Sequence, residues 1–266
     1  MTAVALASDA GTPVDVRMGY AMYLGDTSLI LAQRLGEWVG HAPALEEDLA
    51  LANVALDLLG QARYLLSYAG EIECLLRGRG RSEDDLAFLR DPSDYTNLAL
   101  VEQPNVDFGH TIVRQFLIDA WQLELFERLQ SSTEPRFAEL AAKALKETRY
   151  HYRFSAGWMV RLGDGTQESH QRVQAGLDAL WKFTGEMFAP GAADEQAARA
   201  GIAPEPAALR SAWVANVEQV LGEATLTKPA DVNYRWHGKR RQHSDHLSRL
   251  LAEMQFMQRT YPGAQW

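Results

Sequence analysis

The chain has 266 residues, 47% of them apolar and 23% charged, with a formal net charge of −9. That suffices for one large domain or two small ones, burying roughly 70 to 75% of the unfolded surface, and excludes a disordered or fibrous protein. The acidic balance argues against nonspecific nucleic-acid binding by the whole surface, and Cys74, the single cysteine, excludes an internal disulfide framework.

MTAVALASDA lacks a basic leader, and no later segment approaches about 18 uncharged apolar residues. The expectation is a soluble cytoplasmic protein with a flexible N-terminus over residues 1–19. Apolar residues then recur at helical spacing while strand signals are nearly absent, which predicts an all-α protein. The first helix is expected from about Asp26, as N-cap, to Gly40. The second opens near Pro43 with the acidic turn Glu46, Glu47 and Asp48 and closes at Gly70. Residues 77–106 mix apolar clusters with Gly, Pro and charge, as a long connection does. Asp107 caps a third helix, and the SSTEP break leads to a fourth that ends at Gly163. Shorter helices are expected over 168–188, 205–221 and 243–259, with APGAADEQAARAGIAPEP as a surface loop. Two helical hairpins joined by a long crossover make a ferritin-like four-helix bundle with additional C-terminal helices, here a single domain over 1–266.

Polar residues interrupt the apolar faces of that bundle. Asn53, Asp57 and Gln61 fall at i, i+4 and i+8 on the second helix, and Lys143, Glu147 and His151 repeat the spacing on the fourth. Gln33 and Glu37 stand on the first helix and Asp119 on the third. Di-iron proteins of this fold use a Glu from each of two helices and a Glu-x-x-His pair from each of the other two, so that carboxylates offset the metal charge and imidazoles complete the ligand set. This sequence falls short of the set: Glu147 has Tyr150 at the third position and His151 at the fourth, and no histidine occurs between His41 and His110. A metal-free polar core is the leading expectation, in which Lys143, with His151 if protonated, offsets Asp57, Glu147 and Glu37. The alternatives are an irregular but working metal site, or side chains on solvated faces that never meet. Lys239, Arg240 and Arg241 form a local basic run, either a solvated loop or a guide for the phosphates of coenzyme A.

Three stretches carry a resemblance: LGDTSLILAQRLGEWVGHAPALEEDLALANVALDLLGQARYLLSYAG, then LALVEQPNVDFGHTIVRQFLIDAWQLEL, and AAKALKETRYHYRFSAGWMVRLGDGTQESH. With the ending PADVNYRWHGKRRQHSDHLSRLLAEMQFMQRTYPGAQW, they closely resemble the C subunit of bacterial phenylacetyl-CoA epoxidases from about Tyr20 to Trp266. The resemblance implies a ferritin-like, non-catalytic subunit without a cofactor of its own. It pairs with a homologous A subunit that carries the di-iron site, and acts with a small subunit and an iron–sulfur flavin reductase in the aerobic breakdown of phenylacetate. Phenylacetyl-CoA is then met only through the complex. In that setting apolar residues of the first and third helices would supply the partner interface, with Trp38, Trp121 and Phe126 as anchors. The rival reading makes the chain itself an active di-iron oxygenase or iron-binding protein.

Overall fold

Asp15 sets the start of the first helix. Its carboxylate accepts the Arg17 backbone N–H at 2.8 Å and pairs with the Arg17 guanidinium, so α1 runs Val16–Gly36 in the computed structural model, which describes residues 5–7, 13–232 and 237–264. This is about ten residues upstream of the expected N-cap. The N-terminus predicted as flexible lies partly outside the described residues. Within them, β1 (Ala5–Ala7) pairs antiparallel with β2 (Pro13–Asp15), and residues 16–19 are already helical.

Asp26 is therefore not a cap but a fully buried mid-helix carboxylate. It meets the equally buried Arg90, whose Nη1 lies 3.1 Å from Oδ2, and accepts the Thr96 N–H at 2.9 Å.

The second helix, α2 (Leu45–Arg77), has the expected acidic first turn but ends about two turns beyond Gly70, at Gly78, whose φ of 73° suits glycine. Gly70 serves a different purpose. A Cβ there would stand 2.0 Å from the Arg81 carbonyl oxygen, so its bare backbone lets the chain fold back onto α2. Glu73 fastens that return by accepting Arg81 N at 3.0 Å and Arg81 Nε at 2.9 Å.

Residues 79–106 cross the molecule with little regular structure. They hold α3 (Glu83–Phe88), started by a Ser82/Asp85 capping box, and two 3-10 turns at Pro92–Asp94 and Ala99–Glu102. Asp107 then caps α4 (Phe108–Leu129) as expected, accepting His110 N at 2.7 Å, and Pro135 opens α5 (Pro135–Gly163). α1 packs along α2, α4 along α5, and α2 meets α5, completing the ferritin-like bundle.

The rest of the chain wraps this bundle in shorter pieces than the sequence suggested. α6 (Gln167–Leu180) lies on α4 and α5; α7 (Gly185–Phe188) follows a 3-10 turn; α9 (Arg210–Glu223) packs on α4 and α5. The C-terminal helix expected over 243–259 breaks into α10 (Asp245–Met254) and α11 (Phe256–Thr260). The Ala-rich stretch expected to be a loop contains α8 (Ala192–Arg199), which packs against α1. Among the described residues no helix is long and apolar enough to cross a membrane.

Arg90→Met would leave Asp26 charged and buried among apolar side chains. The expected loss is about 3–5 kcal/mol, read from urea unfolding; a value within about 1 kcal/mol of wild type would show that the pair does not hold the crossover down.

Candidate functional site

The bundle's polar side chains fall into two neighbouring groups. In the inner one, Asp119 of α4 is fully buried and its two oxygens are both taken: Oδ1 accepts Gln115 Nε2 at 2.6 Å and Oδ2 accepts Ser155 Oγ at 2.7 Å. Burial pushes its carboxyl up to about 6, against the opposing effects of the nearby His151 and of these two hydrogen bonds. His151 of α5, also fully buried, places Nε2 3.0 Å from Asp57 Oδ2 on α2.

The outer group faces solvent. Gln61 Nε2 donates to Glu147 Oε2 at 3.2 Å, and Lys143 Nζ stands 3.7 Å from Glu147 Oε1. A groove of about 140 Å³ lies over this pair, lined by Gly60, Tyr64 and Leu140 among others. That is less than the roughly 300–1,000 Å³ of small-molecule sites.

The structure thus brings together Asp57, Gln61, Asp119, Glu147 and His151, and leaves out the rest of the predicted set. Lys143 is no core counter-charge: its side chain is 76% exposed, and pairing with Glu147 at the surface contributes little. Asn53 is exposed on the outer side of α2. Glu37 lies at the far end of α1, where it pairs with Arg34 at 2.8 Å. Gln33 is half-buried.

Two residues that the sequence pattern did not single out, Gln115 and Ser155, complete the inner group. The signal for Ser155 was the spacing Thr148, His151, Ser155, at i, i+3 and i+7 on one face of α5, and for Gln115 its place one turn before Asp119 on α4.

These side chains do not fit a pair of iron ions. The set holds one imidazole, and the buried carboxylate has both oxygens engaged by Gln115 and Ser155. Among the described residues no three His, Cys, Asp or Glu side chains converge in a way that could hold a metal ion. Four polar atoms of the site, Gln61 Oε1, Gln115 Oε1, Thr148 Oγ1 and His151 Nδ1, are buried without a protein partner, groups of the kind ordinarily met by ordered water.

The basic run near the C-terminus also divides. Lys239 is turned inward, its Nζ 2.5 Å from Asp194 Oδ2 with both side chains 5% exposed, so only Arg240 and Arg241 face solvent. A guide for phosphates would keep two of its three charges.

A family model described as phenylacetic acid catabolic protein matches residues 12–266. The chain is 53% identical over 247 residues to the C subunit of the 1,2-phenylacetyl-CoA epoxidase of Escherichia coli strain K12, an alignment covering 93% of this chain and 98% of that protein.

Two substitutions separate the inner group from the outer. Lys143→Met should change unfolding stability by no more than about 0.5 kcal/mol. The Asp119 carboxyl titrates higher in the folded chain than its ordinary 3.8, so its contribution is fully present below pH 3.8 and is lost as pH rises to about 6. Asp119→Asn, whose amide Gln115 Oε1 can accept, removes that loss. Stability profiles of the two proteins should therefore diverge between pH 4 and 6 in favour of the variant, by up to roughly 3 kcal/mol; parallel profiles would contradict the raised carboxyl.

Proposed function

This chain belongs to the phenylacetic acid catabolic protein family, and from that premise we propose that it is the structural, non-catalytic subunit of a phenylacetyl-CoA epoxidase, paired with a homologous di-iron A subunit. The observation that carries the reading is the state of the bundle centre. A di-iron oxygenase needs four carboxylates and two imidazoles around the metals; here one buried carboxylate is hydrogen-bonded by a serine and a glutamine, and one imidazole is spent on Asp57. The relative that is similar over nearly all of its length is itself named as a subunit. In this reading the small subunit and the reductase complete the assembly, and the thioester is oxidised on the partner, in the cytoplasm.

A subunit without chemistry of its own acts through its surface. The face expected for pairing, on the first and third helices, is not available: Trp121 and Phe126 are core side chains, and Trp38 is half-buried. Most of the bundle's exposed large apolar residues stand instead on α2, among them Leu45, Leu49 and Leu56, which are 69%, 55% and 64% exposed. At i, i+4 and i+11 they share one face of the helix, and this face is where the partner is expected to dock.

Co-expression with the A subunit tests both parts. The chain should co-purify with it, and Leu49→Glu with Leu56→Glu should weaken the pairing at least tenfold while leaving the isolated chain folded, because neither side chain is buried. Supplied with ferrous iron, reductant and oxygen but no partner, the isolated chain should take up no stoichiometric iron and consume no oxygen. Iron near two per chain together with oxygen consumption would make it an enzyme in its own right.

A further inference from the structure

Residues 237–247 cross one end of the bundle, and buried carboxylates from other elements supply many of the contacts that fasten them. Gly238 lies so close to the crossover that a Cβ would stand 2.0 Å from the Asn97 carbonyl oxygen. Glu186 of α7 ties the two segments together, accepting Ala99 N at 2.8 Å with one oxygen and Lys239 N at 2.9 Å with the other. Glu102, fully buried at the end of a crossover turn, accepts Ser244 N at 2.8 Å, Ser244 Oγ at 2.7 Å and Asn97 Nδ2 at 3.0 Å. Arg34 of α1 closes the ring, donating to the Glu102 carbonyl at 2.7 Å and to the His246 carbonyl at 3.1 Å.

His243 sits at the centre of this arrangement with its side chain 7% exposed. Its Nδ1 is 2.5 Å from Glu102 Oε1 and its Nε2 is 2.8 Å from the Tyr95 carbonyl oxygen. A carbonyl oxygen can only accept, and Glu102, which takes three other donors on its two carboxylate oxygens, faces the ring as an acceptor too. Both ring nitrogens must then carry hydrogen, which only the imidazolium does. A neutral ring satisfies one acceptor and leaves the other buried and unmet.

We propose that residues 237–247 form a proton-operated strap, latched across the crossover while His243 is doubly protonated and loosened when that proton leaves. The groups that face the latch are Glu102 and Tyr95 from the crossover, Glu186 from α7 and Arg34 from α1; Lys239 of the strap itself is neutralised by Asp194 of α8.

The sign follows from these partners. Glu102 holds the His243 ring above its ordinary 6.5 against the opposing effect of burial. Closure is therefore strongest below pH 6.5 and weakens as pH rises through the ring's value in the closed strap. The strap is tight in mild acid and loose in mild alkali.

The test uses the full chain and needs no ligand. In wild-type protein the His243 ring, followed by NMR, should titrate above 6.5. Amide exchange at Lys239 and Ser244, corrected for intrinsic rate, should lose protection by up to tenfold per pH unit between pH 6.5 and the ring's own midpoint, as one-proton linkage requires. In His243→Gln the loss above pH 7 should vanish. A ring titrating at or below 6.5, protection independent of pH, or an unchanged decline in the variant would each overturn the proposal. Should the variant fail to fold, the wild-type titration and exchange profiles decide it alone.

Discussion

A carboxylate withdrawn from water must find donors where it stands, and this fold uses that requirement to hold its least regular part. The crossover between α2 and α4 has only one helix, of six residues, and two short turns, too little to fix its course by its own hydrogen bonds. Three buried acids fix it instead. Asp26 meets Arg90 and Thr96, Glu186 takes the Ala99 N–H, and Glu102 accepts from Asn97 within the crossover and from Ser244 beyond it. Each acid would cost several kcal/mol if left unpaired. The crossover therefore has one course in which all three are met, and the hairpins it joins inherit their spacing from it.

The bundle centre follows the same rule with a smaller charge. Where bound metal would demand many anionic donors, this interior keeps one fully buried carboxylate and surrounds it with a glutamine, a serine and a nearby histidine. Gln115 and Ser155 already meet both oxygens of that carboxylate, so Lys143 is free to stay in water. The centre is balanced by hydrogen bonds to Asp119 and by the contact of His151 with Asp57, with no part for Lys143.

The four bundle helices, the long crossover, the cap at Asp107 and the end of α5 at Gly163 were legible because each rests on a local signal. Asp26 misled for the opposite reason: an Asp before an apolar run reads as a cap, yet α1 is buried on nearly all sides, and such a helix shows no polar stripe to reveal that it began earlier. The candidate site was half legible, and the errors share one cause. With 3.6 residues per turn, each four-residue step rotates by about 40° around the axis, so residues eight apart are displaced by about 80°. Asn53 and Gln61, or Lys143 and His151, cannot occupy one narrow stripe: in each pair the first is exposed and the second buried. The steps 148, 151, 155, averaging 3.5, stay on the buried face and lead to Ser155. The latch at Glu102 and His243 was not legible at all, because its partners are 141 residues apart.

The wrapping of the bundle bears on how a partner could be received. α4 is covered by α5, α6 and α9, and α1 by α2, α8 and α10, so these two helices have their demand for burial met within the chain. α2 packs chiefly against α1, with α5 and α3 touching it less, and it keeps leucines on the side left open. Leucines held in water at such spacing gain from being covered, at about 25 cal/mol per Å² of apolar surface. A carboxylate already met by Gln115 and Ser155 at the centre, and leucines turned outward on the second helix, are the two features on which the proposed docking role rests, and the exposed Leu49 and Leu56 are not part of the chain's own core.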